Sequence, residues 1–154
     1  MKIDLAGGIE CKEGHLNVDR YADIQGVRAD CLYLPFPDNS IEAVNTSHYL
    51  EHIEKRAVVP QLREIYRVLF FGSPLHIEVP SLVWCCENWL EHLDGGWNLD
   101  TIFGNQDPPG GQFHYTGFTH EIMIGYLRQA GFTDITIGEV WSHSQQCLTF
   151  ETVR

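Results

Sequence analysis

Two side-chain periods alternate along the chain, and this alternation restricts the fold more than any other feature. Short apolar runs ending in turn residues ("MKIDLAGG", "GHLNVDRY", "DCLYLPFPDNS", "IEAVNTSH", "PLHIEVP") give way to segments with helical spacing. In "PLHIEVP", Leu75, Ile77 and Val79 alternate, which sets them on one face of a strand. In "VVPQLREIYRVL", Val58, Leu62, Ile65, Tyr66 and Leu69 recur at helical spacing and predict one apolar helix face. Pro60 is expected in the first turn of that helix, and Gly72 closes it. Thr119 reads as the cap of a helix through Ala130, with Glu121 in its first turn and Gly131 just past its end. "FTDITIGEV" and "CLTFETV" read as two final strands joined by a polar turn. Strands alternating with helices predict an α/β fold.

A length of 154 residues predicts one domain, 1–154. With 44% hydrophobic and 20% charged residues, the chain has the means to build a core. Apolar runs such as "AVV" and "VLFF" fall far short of a membrane span, and "MKIDLAGG" lacks the apolar stretch of a signal peptide. The expectation is a soluble, cytoplasmic protein that does not contact membranes. A net charge of −11, from 10 basic and 21 acidic residues, repels phosphate backbones and argues against general nucleic-acid binding. It favours small cationic ligands. The five cysteines include no C-x-x-C, so reduced thiols are expected, with Cys85 and Cys86 read as packing.

The segment 81–118 has the weakest pattern. "LVWCCENWLEHL" has helical character, whereas "DGGWNLDTIFGNQDPPGGQFHYTGF" is rich in Gly, Pro and aromatics and reads as a long irregular loop. Such a loop in a small domain is usually functional. The segment is expected to act as a substrate or lid element, with Gly95, Gly96, Gly110 and Gly111 as flexible ends.

One motif raises a question of chemistry. "SHYLEHIEK" contains His48, Glu51 and His52 as H-x-x-E-H, the pattern of inverted zinc peptidases. On a helix the two imidazoles would share a face. A catalytic zinc also wants a third protein ligand, and His76, His92, His114 and His120 offer no recognisable spacing. A dinucleotide oxidoreductase is a further possibility, but only Gly7 and Gly8 follow the first strand. Asp19 lies eleven positions after Gly8, where that fold wants a helix and about twenty residues.

The features at strand ends form an ordered series: Asp4-Leu5-Ala6-Gly7-Gly8, then Asp19, then "DCLYLPFPDNSIEAVNTSHYLEHI", then "REIYRVL", "PLHIEVP" and a late "AGF". In an open parallel sheet, ligands bind beyond the carboxyl ends of the strands. The series resembles the class I S-adenosylmethionine-dependent methyltransferases, in particular the small type 11 group. The likeness is strongest over residues 1–80 and moderate over 119–132. It implies a Rossmann-like three-layer sandwich, a mostly parallel sheet with a final antiparallel hairpin. The short distance from Gly8 to Asp19 implies that the first crossover helix is reduced or absent.

The resemblance also implies roles. Asp4, Ala6, Gly7 and Gly8 would shape the turn against the methionine part of S-adenosyl-L-methionine, and Asp19 would take the ribose hydroxyls. Asp30, Cys31 and Leu32 would contact the adenine. Ser47 and His48 would flank the transferred methyl group, with no metal. His114, in "GGQFHYTGF", is the candidate base, the alternative being that it only packs within the loop.

The sequence departs from the group in two places. Ala6 stands where a glycine is usual, and Phe70-Phe71 occupy an expected polar turn, which makes them a candidate homodimer contact. The function expected is methyl transfer to an unidentified small-molecule, glycan or protein acceptor. The alternative is a catalytically silent cofactor-binding or protein-interaction module of the same fold. Zinc hydrolysis through His48 and His52 is the remaining reading.

Overall fold

Residues 1–9, 11–20, 26–93, 97–106 and 112–154 are described in the structure, a computed structural model. Five strands come from the predicted apolar runs or beside them: β1 (Lys2–Leu5), β2 (Leu16–Asp19), β3 (Gly26–Arg28), β4 (Ala43–Ser47) and β5 (Pro74–Pro80). The hairpin β6 (Ile135–Ser142) and β7 (Gln145–Val153) follows at the end. The helices are α1 (Lys55–Val68), α2 (Leu82–His92), α3 (Trp97–Phe103) and α4 (His120–Ala130), with a 3₁₀ turn at Leu50–His52. The seven strands form one sheet in the order β3-β2-β1-β4-β5-β7-β6. The first five run parallel, and β7 is antiparallel to both β5 and β6. This is the expected Rossmann-like architecture with its terminal antiparallel hairpin.

Strand pleat assigns the two sheet faces opposite characters. Register pairs Ile3 with Val44, Leu5 with Val18, Thr46 with Ile77, and Ile77 with Phe150, so these side chains share a face. That face carries the core, where Ile3, Leu5, Ile77, Leu62, Ile65, Phe118, Phe132 and Phe150 are all fully buried. Helices α1 and α4 pack together there, and the Tyr66 ring meets the edge of Phe132 at 5.1 Å. The opposite face is polar. Register sets Asn17, Asp4, Asn45, His76 and Glu151 side by side across five strands. The described residues that link β1 to β2 and β3 to β4 contain no helix, consistent with the expected loss of the first crossover helix.

Three local expectations are corrected. The third strand is "GVR", not "DCLYL"; that later stretch is a turn, because Asp30 Oδ1 accepts from the Leu32 amide at 3.0 Å. Helix α1 starts at Lys55, which puts Pro60 inside it rather than in its first turn. Pro60 is exposed there, away from the buried face formed by Val58, Leu62 and Ile65. Part of the segment expected to be irregular is helix α3, whose seven residues end at Gly104 with φ +78°. The expected flexible ends Gly95, Gly96, Gly110 and Gly111 lie outside the described residues. Helix α4 has the predicted caps: Thr119 Oγ1 accepts from the Ile122 amide, and Gly131 takes φ +114°. Among the described residues no helix is long and apolar enough to cross a membrane. All five cysteines are free, with Cys85 buried and Cys86 exposed.

Candidate functional site

A cleft of ≈ 960 Å³ opens at the carboxyl edge of β1, β4 and β5 and extends onto the polar sheet face. Of the site residues named from the sequence, Asp4, Ala6, Gly7, Gly8, Ser47, His48 and His114 line it. Asp19, Asp30, Cys31 and Leu32 are not part of its wall. Glu51 and His52 of the H-x-x-E-H stretch line it too, as do Lys12, Asn45, Glu78, His143 and Gln145, which were not singled out by sequence.

The turn after β1 is built by hydrogen bonds from its own neighbours. Asp4 is buried, and it accepts from the Lys12 amide and from Asn45 Nδ2, each at 2.7 Å. A Cβ on Gly7 would lie 2.6 Å from Asp4 Oδ2, so no side chain fits there without moving that carboxylate. Gly8 has φ +54°, and a Cβ on it would meet nothing within 4 Å; its backbone faces open space. Its carbonyl accepts from Asn17 Nδ2 at 2.7 Å. Its amide donates to Asp19 Oδ2 at 3.2 Å, so the glycine turn and the end of β2 are tied together. Ala6 takes φ +55°, the left-handed conformation that makes glycine usual in this position. Asp30 pairs with Arg20 at 3.3 Å. Cys31 is buried with its thiol toward the Val18 carbonyl, and burial pushes its pKa up to about 12.

The H-x-x-E-H stretch is not an α-helix. His48 takes φ +52° just after β4, and Leu50–His52 form a single 3₁₀ turn, so the helical zinc-peptidase arrangement does not form. His48 instead sits between carboxylates. Its Nε2 is 3.2 Å from Glu78 Oε1, and its Nδ1 is 3.3 Å from Glu51 Oε1. Burial alone would lower the His48 pKa, but contacts with Cys147, Glu51 and Glu78 override it and push the value up to about 12. His48 bonding draws Glu78 down to about 2. His48 is therefore a held cation at neutral pH, unsuited to accept a proton.

His114 differs. Its Nδ1 lies 3.2 Å from the Thr101 carbonyl, which fixes an Nδ1–H tautomer and leaves Nε2 as an acceptor. Burial lowers its pKa, so the imidazole is neutral at pH 7. The strap 112–118 that carries it is pinned to the 3₁₀ turn. The amides of Tyr115 and Thr116 donate to the Glu51 carbonyl at 2.7 and 3.2 Å, and Thr116 Oγ1 donates to the Ile53 carbonyl at 2.8 Å. These bonds bring a residue of the predicted loop against "LEH", a proximity with no signature in sequence spacing.

Residues 5–75 match a family model described as a methyltransferase domain, of type 11. No curated protein matches the chain. Among solved structures, the chain is similar to an S-adenosylmethionine-dependent methyltransferase from Archaeoglobus fulgidus. The TM-score is 0.70 at 16% identity, covering 99% of this chain and 85% of that one. It is also similar to one from Methanosarcina mazei, with TM-score 0.70 at 14% identity and coverage of 99% and 91%. A third is the 1,6-didemethyltoxoflavin-N1-methyltransferase of Burkholderia thailandensis, solved with 1,6-didemethyltoxoflavin and S-adenosylhomocysteine. Its TM-score is 0.67 at 16% identity, with coverage of 99% and 70%. At such identities the likeness is one of fold. Residues 5–75 thus match the model of a methyltransferase domain, and the chain along its whole length has the fold of S-adenosylmethionine-dependent methyltransferases.

Proposed function

We propose that the chain transfers a methyl group from S-adenosylmethionine to an acceptor held in the cleft beside Asp100, Thr101 and His114. The observation that carries this reading is the bond from the Gly8 amide to Asp19 Oδ2 at 3.2 Å. It sets an open glycine backbone beside a carboxylate at the carboxyl ends of adjacent strands, which suits a ribose and its attached chain. Asp19 takes the ribose hydroxyls, and Asp30 with Cys31 and Leu32 borders the adenine. Asp4, Ala6, Gly7 and Gly8 form the methionine side. Ser47 and His48 stand nearest the methyl position.

The bound cofactor supplies a methyl on a sulfonium that is already a good leaving group, so the chain's own task is alignment and proton management. The acidic cleft wall, with Asp4, Glu51, Glu78 and Asp100, favours a cationic ligand. His48 is fixed between Glu51 and Glu78 and orients that end of the cleft. His114 Nε2 is the neutral nitrogen available to take a proton from a hydroxyl or amine acceptor.

A second reading, a catalytically silent module that docks a protein partner or a second copy, is favoured by one feature. Phe71 is 89% exposed and adjoins Phe70, 42% exposed, in the turn before β5. Turnover separates the readings. Incubation with S-adenosylmethionine and a panel of hydroxyl, amine and protein acceptors should release S-adenosylhomocysteine in a His114-dependent manner. Tight cofactor binding without turnover on any acceptor would favour the silent module.

A further inference from the structure

We infer that Glu51, His52 and His114 form a binding site for one divalent transition-metal ion of the zinc class, in the wall of the cofactor cleft. The inference departs from the metal-free expectation drawn from the sequence. It rests on the side chains themselves and not on methyl transfer. One nitrogen from each histidine and a carboxylate oxygen of Glu51 all lie within 4.8 Å of one another.

Three features distinguish this cluster from chance proximity. Glu51 is 2% exposed, yet neither carboxylate oxygen has an aligned hydrogen-bond donor. His48 Nδ1 approaches Oε1 at 3.3 Å without forming an aligned hydrogen bond, so this buried carboxylate keeps unmet acceptor capacity that a bound metal ion would fill. Each histidine is also oriented by a backbone carbonyl. His52 Nδ1 lies 3.0 Å from the Phe113 carbonyl and His114 Nδ1 3.2 Å from that of Thr101. Both rings therefore carry Nδ1–H and leave Nε2 lone pairs, the arrangement that metal-bound histidines adopt. Finally, His52 Nε2 faces Glu51 Oε1 at 4.0 Å, and the two rings meet edge to face at 4.9 Å between centroids.

A tetrahedral ion about 2.1 Å from each donor holds the donors about 3.4 Å apart, so modest closure would complete the site. Two imidazoles and one carboxylate select zinc-like ions over magnesium or calcium. They also leave a position open toward the cleft for water or an acceptor oxygen. With an ion bound, the His114 lone pair is committed to the metal, and an acceptor would lose its proton through that open position instead.

Metal-stripped protein titrated calorimetrically with zinc chloride, without cofactor, tests the site. One ion per chain is expected, weakened at least about 100-fold in His52→Ala and His114→Ala and unchanged in the exposed His92→Ala. Glu51→Gln should do the same if circular dichroism shows it folded; the two histidine variants, at partly exposed positions, carry the test if it is not. Cobalt(II) in place of zinc should give a visible spectrum without a sulfur charge-transfer band. Absence of stoichiometric binding, or binding unaffected by both histidine variants, would overturn the site. A charge-transfer band lost in Cys147→Ser would also overturn it, by moving the ion to the neighbouring group His48, Glu78 and Cys147. Because ion binding is read without cofactor, its failure would leave the methyl-transfer reading standing.

Discussion

Tyr115 donates its backbone N–H to the carbonyl of Glu51 at 2.7 Å. This bond ties the strap after α3 to the turn after β4, and it is why His114 stands against His52. The position of the strap also depends on Gly104, whose φ is +78° and whose backbone packs against Gln112.

Gly104→Ala should therefore dislodge the strap. The new Cβ would lie 1.6 Å from the Gln112 carbonyl oxygen, a contact no rotation relieves. The expected loss is about 2–4 kcal/mol, from combined strain and displacement. Urea unfolding measures it, and hydrogen exchange at Tyr115 and Thr116 should rise with it. Wild-type stability and protection would show that the strap is held elsewhere.

Ala6→Gly should stabilise the protein. Ala6 holds φ +55°, where an alanine is strained by about 1–2 kcal/mol, and glycine returns part of that in unfolded-state entropy. A net gain of about 0.5–1 kcal/mol in chemical denaturation is expected. A loss of stability would mean that the Ala6 methyl packs better than its conformation costs.

Glu64 supports the turn before β4 from helix α1. It accepts from the Leu34 amide at 2.9 Å and from Arg67 Nε and Nη2 at 2.8 and 2.7 Å, and bonding to Arg67 holds its pKa below the usual value. A depressed folded-state pKa means that the stabilisation is present above the unfolded glutamate value and is lost as pH falls through the folded value. Glu64→Gln should cost about 1–2 kcal/mol at pH 7 and flatten the acid limb of the stability curve below pH ~4.3. Equal acid limbs in the two proteins would remove Glu64 from the account.

The sheet was legible because its strands carry period-two apolar residues and end in turns. Leu75, Ile77 and Val79 all proved fully buried, and Thr119 and Gly131 capped α4 as read. Strand β3 was missed because "GVR" is three residues long and half-exposed, with too little apolar pattern to register. Helix α3 was missed because its seven residues sit among glycines and prolines and hold together through tertiary contacts with α2. In the cleft, the residues after β1 and β4 were legible from strand-end chemistry. Lys12 was not, since it reaches the cleft through a loop folded back on Asp4 and Asn45, nor were Glu78 and Gln145, which reach it only through sheet order and register. The relation of His114 to Glu51 was hidden for the same reason: hydrogen bonds across the fold made it, not spacing.

Methyl transfer by this chain requires that the glycine turn and Asp19 hold the cofactor. Isothermal titration of the purified chain with S-adenosylhomocysteine measures this without needing an acceptor. One binding site per chain is expected, with Asp19→Ala weakening it by about 1.5–3 kcal/mol, the loss of hydrogen bonds to a charged group. No detectable binding to the folded wild-type chain, or equal affinity in a folded Asp19→Ala variant, would contradict it.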